Sequence, residues 1–490
     1  MPRSRSPREC SPQAQGEICQ DATEFEGADP VVVDVPGAYY NGKPTPPWEA
    51  GGRVLYMHIP RGLKEFGFPQ FNEHGERMLF RVVGNLPGRR DAGLIWGREY
   101  GEFMRSEGFV ASVVDRRVYY LREKKGKLQI TTGVHVDDCI SSVRDPGAGA
   151  RFMDRWCARF GGSRAPRALN ALGKEVHHFL GMRVVKGPDT VCLDGPRLIA
   201  DLERKLAEAL DLSGAPPRGK VSALAPLASE GLRRLRMAPG DEISAAADAP
   251  SGIVALASES CREVARSLPG ISGYVVIMWR PDGSLAYSAI SQQIAQNFTN
   301  VTFHAALQFA KYPVSTRDLA LALRRTGRAA AMYSDSSSMD AGSGSSWGGF
   351  GWGQPGSGFT HYRCVSPRHL TDSSGGSELM VATLALKEAI GVRIMNAELG
   401  LLDTTKATDL FMDAAVVLAG VAMDRVTRES RYVATRLAML RQAVADGIIA
   451  LRKIDTKTNP ADIFTKPLVG ETLRRLRAMC LGHHVEALGA

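Results

Sequence analysis

The chain of 490 residues carries 61 Lys and Arg against 52 Asp and Glu, a formal charge of +9, and 44% hydrophobic residues. This is the bulk composition of a soluble protein with length for about three domains. No run of 18 apolar residues occurs and the first 30 residues are polar, which excludes a membrane span and a secretory signal and makes an intracellular location, cytoplasm or nucleus, the expectation. The basic excess, with a pI near 9.1, favours a polyanionic partner and equally fits a merely solvated basic surface.

Residues 1–30, rich in Ser, Pro, Arg, Glu and Gln, read as a disordered lead-in. Val31-Val32-Val33-Asp34-Val35 predicts a buried strand stopped by Pro36-Gly37. The segment from Thr131 to Ile140 predicts two short strands around a tight turn at Val136-Asp137-Asp138. Phe152, Trp156 and Phe160, four residues apart, predict one apolar helix face and read as core. Phe179 to Val185 reads as a further strand, and Asp194-Gly195-Pro196 opens a helix over Leu198, Leu202, Leu206 and Leu210.

Residues 213–260, dense in Ala, Pro, Gly and Ser and carrying Arg233, Arg234 and Arg236, read as a linker, and 261–328 as mainly helical. A further unit begins at Ala329. In it Ala330 to Asp335 is a strand running into an acid, and the Ser-, Gly- and Trp-rich stretch to Gly358 is a meander. Ser373-Ser374 then stands as a cap before a helix from Ser377 to about Leu399. The eight cysteines are scattered without a Cys-x-x-Cys, which argues against a disulfide framework and a structural zinc site. His177-His178 and His483-His484 lack ligand-spaced partners and read as surface residues.

The chemistry is carried by acids. Adjacent carboxylates repel and lose hydration unless a cation neutralises them, so Asp137-Asp138 between strand formers asks for a divalent metal. An ordinary turn is the competing reading. Asp34, near the end of a buried strand, is costly unless used, which makes it the natural partner of the pair. A second set comprises Asp335 at a strand end, Glu378 in the first turn of a helix, Asp413 after Leu410-Phe411-Met412, and Asp462 in Asn459-Pro460-Ala461-Asp462-Ile463. Hydrolysis of a phosphodiester by two divalent ions needs several carboxylates around metals about 3.5–4 Å apart. These four meet that need if they converge, and each alone also reads as surface decoration.

From Val31 to about Leu481 the chain resembles the reverse transcriptase and ribonuclease H portion of a copia-type LTR retrotransposon polyprotein. The resemblance runs through Asp34-Val35-Pro36-Gly37-Ala38-Tyr39-Tyr40-Asn41-Gly42, Leu55-Tyr56-Met57-His58-Ile59-Pro60-Arg61-Gly62, the segment from Leu86 to Trp96, Val136-Asp137-Asp138 and Phe179-Leu180-Gly181. It continues through Tyr333-Ser334-Asp335, Ser377-Glu378-Leu379, Asp413 and the specific closing run Asn459-Pro460-Ala461-Asp462-Ile463-Phe464-Thr465-Lys466-Pro467-Leu468.

The resemblance implies an α+β polymerase palm with truncated fingers, a helical connection, and an α/β RNase H-like domain. The corresponding parts are 1–30 lead-in, 31–212 palm, 213–260 linker, 261–328 thumb or connection, 329–482 RNase H-like domain and 483–490 tail. It implies RNA-directed DNA polymerase activity, with Asp34, Asp137 and Asp138 holding Mg²⁺ or Mn²⁺, and hybrid-directed ribonuclease activity, with Asp335, Glu378, Asp413 and Asp462 as catalytic metal ligands. The implied partners are an RNA template, a DNA primer, an RNA–DNA hybrid and dNTPs, with no membrane. Tyr39 takes the aromatic position that packs under the nucleotide sugar; a core tyrosine is the competing reading. Arg89 and Arg90 stand where the incoming nucleotide lies. An Arg-rich stretch through Arg425, Arg428, Arg431 and Arg436 either tracks phosphates or is a solvated face.

Three departures bear on activity. His135 replaces a Tyr, Asp91 replaces a Gln, and Gly93 replaces a Pro. The acid at 91 would repel a triphosphate unless Arg89 or Arg90 screens it. The 33 residues before Asp34 are too few for complete fingers, so a truncated copy is expected. A catalytically inactive relic that binds nucleic acid, and ribonuclease H activity alone, are the alternative functions.

Overall fold

The computed structural model describes residues 10–25, 28–44, 52, 54–59, 61–164, 168–170, 173–212, 225–227, 229–235, 259–296, 300–337, 346–366, 373–423 and 433–483. The protein is a mixed α/β chain with several sheets. It divides into two compact units, one of residues 1–10 with Val31–Ala165, the other of Ser11–Pro30 with Pro166–Ala490. The expected palm span, 31–212, is shared between them. Among the described residues no helix is long and apolar enough to cross a membrane, and no disulfide forms.

In the first unit, strands β1 (Asp29–Asp34), β4 (Val110–Ala111), β5 (Val118–Arg122), β6 (Leu128–His135), β7 (Asp138–Val143) and β8 (Ser163–Arg164) form one sheet in the order β4-β5-β6-β7-β1-β8. A separate antiparallel pair is made by β2 (Leu55–His58) and β3 (Leu79–Val82). Helices Ala92–Ser106 and Pro146–Phe160 supply the apolar side chains that bury the sheet, with Trp96, Tyr100, Met104, Phe152, Trp156 and Phe160 meeting Val33, Val35, Ile130 and Val134. The second helix starts where Asp145 accepts a hydrogen bond from Ala148 N–H at 3.0 Å and Pro146 takes the first helical position. The Phe152, Trp156, Phe160 stripe is core, as its spacing predicts.

The second unit contains a five-stranded antiparallel sheet, β13-β12-β11-β10-β9, built from β9 (Ala168–Leu169), β10 (Glu175–Phe179), β11 (Met182–Lys186), β12 (Thr190–Asp194) and β13 (Leu321–Arg324). Phe179 to Val185 is therefore a hairpin, which corrects the single-strand expectation. Phe179 pairs with Met182, and the two turn residues Leu180 and Gly181 have φ of 51° and 75°, the left-handed pair that a two-residue hairpin needs. His177 lies inside this sheet at 5% exposure. This corrects the surface reading for that residue; its neighbour His178, on the opposite face by strand alternation, is exposed. His483 is half-buried and its ring bonds Ala320 O at 2.6 Å, while His484 lies outside the described residues.

Ser11 to Phe25 is ordered, which corrects the disordered lead-in. Ser11 caps the helix Pro12–Glu24 by accepting from Ala14 N–H, and Ala14, Ile18 and Ala22 form a fully buried stripe. Its polar residues are buried too, because the neighbouring strands offer partners. Thr360 Oγ1 donates to Glu17 Oε1 at 2.6 Å, and Gln20 Nε2 donates to Arg324 O at 2.9 Å. Polar composition concealed a helix whose Glu17 and Gln20 are hydrogen-bonded inside the fold.

Helices Pro196–Leu212, Glu259–Met278, Ser284–Gln296 and Asn300–Ser315 follow the expected helical regions. Most of the 213–260 linker, including Arg236, lies outside the described residues. Its described part contains the helix Ser229–Leu235, whose Leu232 and Leu235 are buried beside Val276 and Leu285. The strands β14 (Ala331–Ser336), β15 (Gly348–Gly353), β16 (His361–Val365), β17 (Thr408–Met412) and β18 (Ile449–Lys453) form a sheet in the order β16-β15-β14-β17-β18. The first three are antiparallel neighbours, and β14, β17 and β18 run parallel. Helices Ser374–Glu398, Ala415–Ala422 and Ala434–Ala445 bury one face through Leu379, Leu386, Val417, Leu437 and Leu440. Pro460–Phe464, a 3₁₀ turn, and the helix Gly470–Leu481 cover the other through Ile463, Phe464 and Leu473.

A buried ion pair ties the helical region to this last helix. Arg280 and Asp282 are paired twice, at 2.9 and 2.8 Å, with side chains 2% and 0% exposed. Tyr312 Oη donates to Asp282 Oδ2 at 2.7 Å, and Arg477 Nη1 donates to Tyr312 Oη at 3.1 Å. Burial opposes the charge on Asp282, yet Arg280 holds its carboxyl below the usual range. Replacing Asp282 by Ala strands a buried guanidinium, and a loss of about 3–5 kcal/mol in urea-unfolding free energy is expected; a loss under about 1 kcal/mol would show that the pair is solvated.

Candidate active site

In the first unit the Asp137-Asp138 turn is built by strand register. His135 pairs with Asp138, so Val136 and Asp137 are the two loop residues, and Val136 is forced to φ 59°. A β-branched residue there is strained by about 1–3 kcal/mol and persists only where its surroundings fix it. They do: Trp96 Nε1 donates to Val136 O at 2.6 Å, and Val35 N–H donates to Asp137 O at 3.0 Å. The second bond sets the end of β1, and with it Asp34, beside the turn. Gly162 permits this, since a Cβ there would lie 2.3 Å from the Trp156 ring and 2.6 Å from Asp34 O.

The three acids of this set share one neighbourhood. Burial first, and then the charge of Asp137, raises the Asp34 carboxyl. The Cys139 thiol is pushed up to about 12, chiefly by burial; Tyr100 opposes this, and the charges of Asp138, Asp137 and Asp34 add to it. Tyr39 is half-buried against the core, and its carbonyl accepts from Asn85 Nδ2 at 2.8 Å. Asn85 also donates to Ala92 O at 3.0 Å, so one buried amide ties the Tyr39 segment to the start of helix Ala92–Ser106. Sequence reading missed both Asn85 and the Trp96 hydrogen bond; a lone Asn ahead of Leu86-Pro87-Gly88 was the available signal. Arg89 grips Asp91 with two bonds of 2.9 and 2.8 Å. The acid at 91 is thus offset by Arg89, and Arg90 is exposed nearby in sequence at the helix start.

The second set lies wholly in the second unit. Alternation along β14 puts Ala331, Tyr333 and Asp335 on the face covered by Phe464 and Leu473. The same alternation carries Asp413, one residue past β17, to that side. Glu378 arrives from the helix Ser374–Glu398, whose cap Ser373 accepts from Gly376 N–H at 3.2 Å. Asp335, Glu378 and Asp413 each offer an oxygen within 4.8 Å of the others, and among the described residues they are the one such group of three.

The closing motif adds the fourth acid. Asn459, fully buried, donates to Ser334 O at 3.0 Å and accepts from Ala461 N–H at 3.2 Å, which pins the 3₁₀ turn to β14. Gly349 leaves room for it, since a Cβ there would be 2.1 Å from Phe464 Cβ. Thr465 Oγ1 donates to Asp335 Oδ2. Lys466 Nζ lies 2.9 Å from Asp462 Oδ2 and 3.6 Å from Asp335 Oδ2. Thr456 Oγ1 donates to Asp413 Oδ2 at 2.8 Å. Sequence reading took Asn459, Thr465 and Lys466 as motif letters without roles. Of the Arg-rich stretch, Arg425, Arg428 and Arg431 lie outside the described residues, and Arg436 sits in the helix Ala434–Ala445.

Crowding shows in the acidities. Burial, then the charge of Asp462, pushes Asp335 up to about 7 against the help of Lys466 and Thr465. Burial, then Asp335 and Asp413, pushes Glu378 up to about 9. Asp462 is also raised, by burial first, with Lys466 opposing. Among the described residues its Oδ1 is buried with no N–H or hydroxyl donor on it. Hard oxygen donors, shared negative charge and an undonated buried oxygen together suit a divalent cation such as Mg²⁺ or Mn²⁺.

No family model matches the chain. A solved structure of the foamy viral protease-reverse transcriptase in complex with an RNA/DNA hybrid aligns over 92% of this chain and 68% of that chain, at 10% identity and a TM-score of 0.23. At that level the functional reading rests on the residues themselves.

The raised acids set a pH dependence. Glu378 goes from 4.5 to about 9, so its contribution to stability is complete below about pH 4.5 and is lost as pH rises toward 9. The Tm of metal-free protein is expected to fall between pH 6 and 9, and Glu378→Gln to flatten that fall. Divalent binding must expel these protons, so calorimetry in two buffers of different ionisation enthalpy should show proton release, with affinity rising with pH. A pH-independent affinity without proton release would contradict these assignments.

Proposed function

We propose that this chain is a retroelement-derived, copia-type RNA-directed DNA polymerase with a ribonuclease H domain, and that Asp335, Glu378, Asp413 and Asp462 form the ribonuclease site. The observation that carries the reading is the convergence of three of these acids within 4.8 Å, with the fourth joined to Asp335 through Lys466. The sheet order in that part, third-second-first-fourth-fifth with the last two parallel to the first, supports an RNase H-like domain. The closeness of Asp34, Asp137 and Asp138 supports a polymerase palm.

In such sites a divalent pair supplies acidification of the attacking oxygen and neutralisation of charge at phosphorus. The chain's own residues do the rest. Thr465 and Asn459 hold Asp335 and the Asp462 turn at fixed positions, Thr456 orients Asp413, and the Ser336 N–H steadies Glu378. In the other site Trp96 and Val35 fix the strained turn that presents Asp137 and Asp138. RNA, with its 2′-hydroxyls, is the strand to be cut in a hybrid; template, primer and dNTPs are the partners of the palm.

Ribonuclease H activity alone is the second reading, favoured by one observation: Arg89, one of the two cations expected near the triphosphate with Arg90, is already committed to Asp91. Both are tested by following RNA cleavage in a labelled hybrid and primer extension on an RNA template with Mg²⁺ or Mn²⁺. Cleavage should fall about 100-fold or more in Glu378→Gln, beyond what loss of a supporting residue costs, while extension should be lost only in Asp138→Asn. Cleavage without extension selects the second reading. Silence in both assays would leave a relic that binds nucleic acid.

A further inference from the structure

Among the described residues, Lys466 is the cation ion-paired with carboxylates of the second acid set, whereas Lys453 Nζ meets only the backbone carbonyl of Asp413, at 2.6 Å; Lys466 has no part in the reaction described above. Its backbone N–H donates to Asp462 O at 2.9 Å, so the residue is anchored one turn beyond the acid it pairs with. Its ammonium stands 2.9 Å from Asp462 Oδ2 and 3.6 Å from Asp335 Oδ2. The side chain is 35% exposed while those of Asp335 and Asp462 are 1% and 9% exposed, which leaves the lysine a path to solvent that the acids lack. Among the described residues Asp462 Oδ1 is buried with no N–H or hydroxyl donor on it, and the Asp462 carboxyl is also hydrogen-bonded to that of Asp335.

Oxygens of Asp335, Glu378 and Asp413 define one cation position. A second would fall on the edge between Asp335 and Asp462, because Asp335 can serve both. That edge is where the ammonium lies. A magnesium ion would need these oxygens at about 2.0–2.1 Å, and a positive charge within about 4 Å of it is strongly repelled.

Resting on the ribonuclease reading, we propose that Lys466 is a positioning residue and the resident counter-ion of this site: its ammonium holds Asp335 and Asp462 together and withdraws before a second divalent cation is bound between them. The site would therefore take one divalent ion readily and a second only against the lysine. A four-carbon stem makes the withdrawal a rotamer change.

The test uses the full chain with Mn²⁺ alone, without nucleic acid, and reads metal-free Tm together with calorimetric stoichiometry and affinity. Lys466→Met should lower the metal-free Tm and tighten the second Mn²⁺ by about tenfold or more. Lys466→Arg should retain the wild-type Tm, and Lys466→Met with Asp462→Asn should recover the Tm while losing the second ion. If Lys466→Met folds only with Mn²⁺ present, that is the same result at its limit; failure to fold even with Mn²⁺ would overturn the proposal. Unchanged Mn²⁺ stoichiometry and affinity in Lys466→Met would overturn it while leaving the ribonuclease reading intact. Absence of Mn²⁺ binding by the wild type would overturn both.

Discussion

Mutual repulsion among buried carboxylates is the constraint around which the C-terminal sheet is organised. Asp335 is 1% exposed and Asp462 6%, and Glu378 and Asp413 stand beside them. Such a group destabilises the fold unless protons, a fixed cation or bound metal reduce its charge. Two of those remedies are at hand: burial and neighbouring charge weaken the acids, pushing the pKa of Asp335 up to about 7 and of Glu378 up to about 9 so that they hold protons longer, and the Lys466 ammonium pairs with Asp335 and Asp462. A fold selected for stability alone would replace these acids by apolar residues of similar size. Their convergence from two strand ends, a helix and a turn is the arrangement that a bound cation would stabilise.

The supporting hydrogen bonds explain why the closing motif has its particular letters. Asn459 bonds β14 through Ser334, Thr465 bonds Asp335, Phe464 fills the space left by Gly349, and Lys466 bridges two acids. Ten consecutive residues thus carry one acid and the means to hold it against another strand. In the first unit the same task falls to residues far apart in sequence. Trp96 and Val35 hold the turn, and Gly162 lets β8 approach Asp34.

Sequence patterning revealed those elements whose apolar residues face one core. The Phe152, Trp156, Phe160 helix is of this kind, while β14, buried on both faces, was legible as a continuous apolar run leading into Asp335. Elements that bury polar residues were not legible. The helix Pro12–Glu24 hides Glu17 and Gln20 against hydrogen-bond partners more than 300 residues away, which no local pattern encodes. The hairpin at Leu180-Gly181 was read as one strand because only a positive φ at Leu180 reveals the turn. Pairings such as Arg89 with Asp91 depend on side-chain geometry that composition does not specify.

The central claim is that Asp335, Glu378 and Asp413 bind a divalent cation, and crystallographic anomalous scattering from Mn²⁺ tests it most directly. A peak is expected within about 2.0–2.6 Å of an oxygen from each of the three acids, at Mn²⁺ concentrations that saturate the calorimetric signal. Saturating Mn²⁺ with no peak among these oxygens, or with all density at surface carboxylates elsewhere, would contradict it.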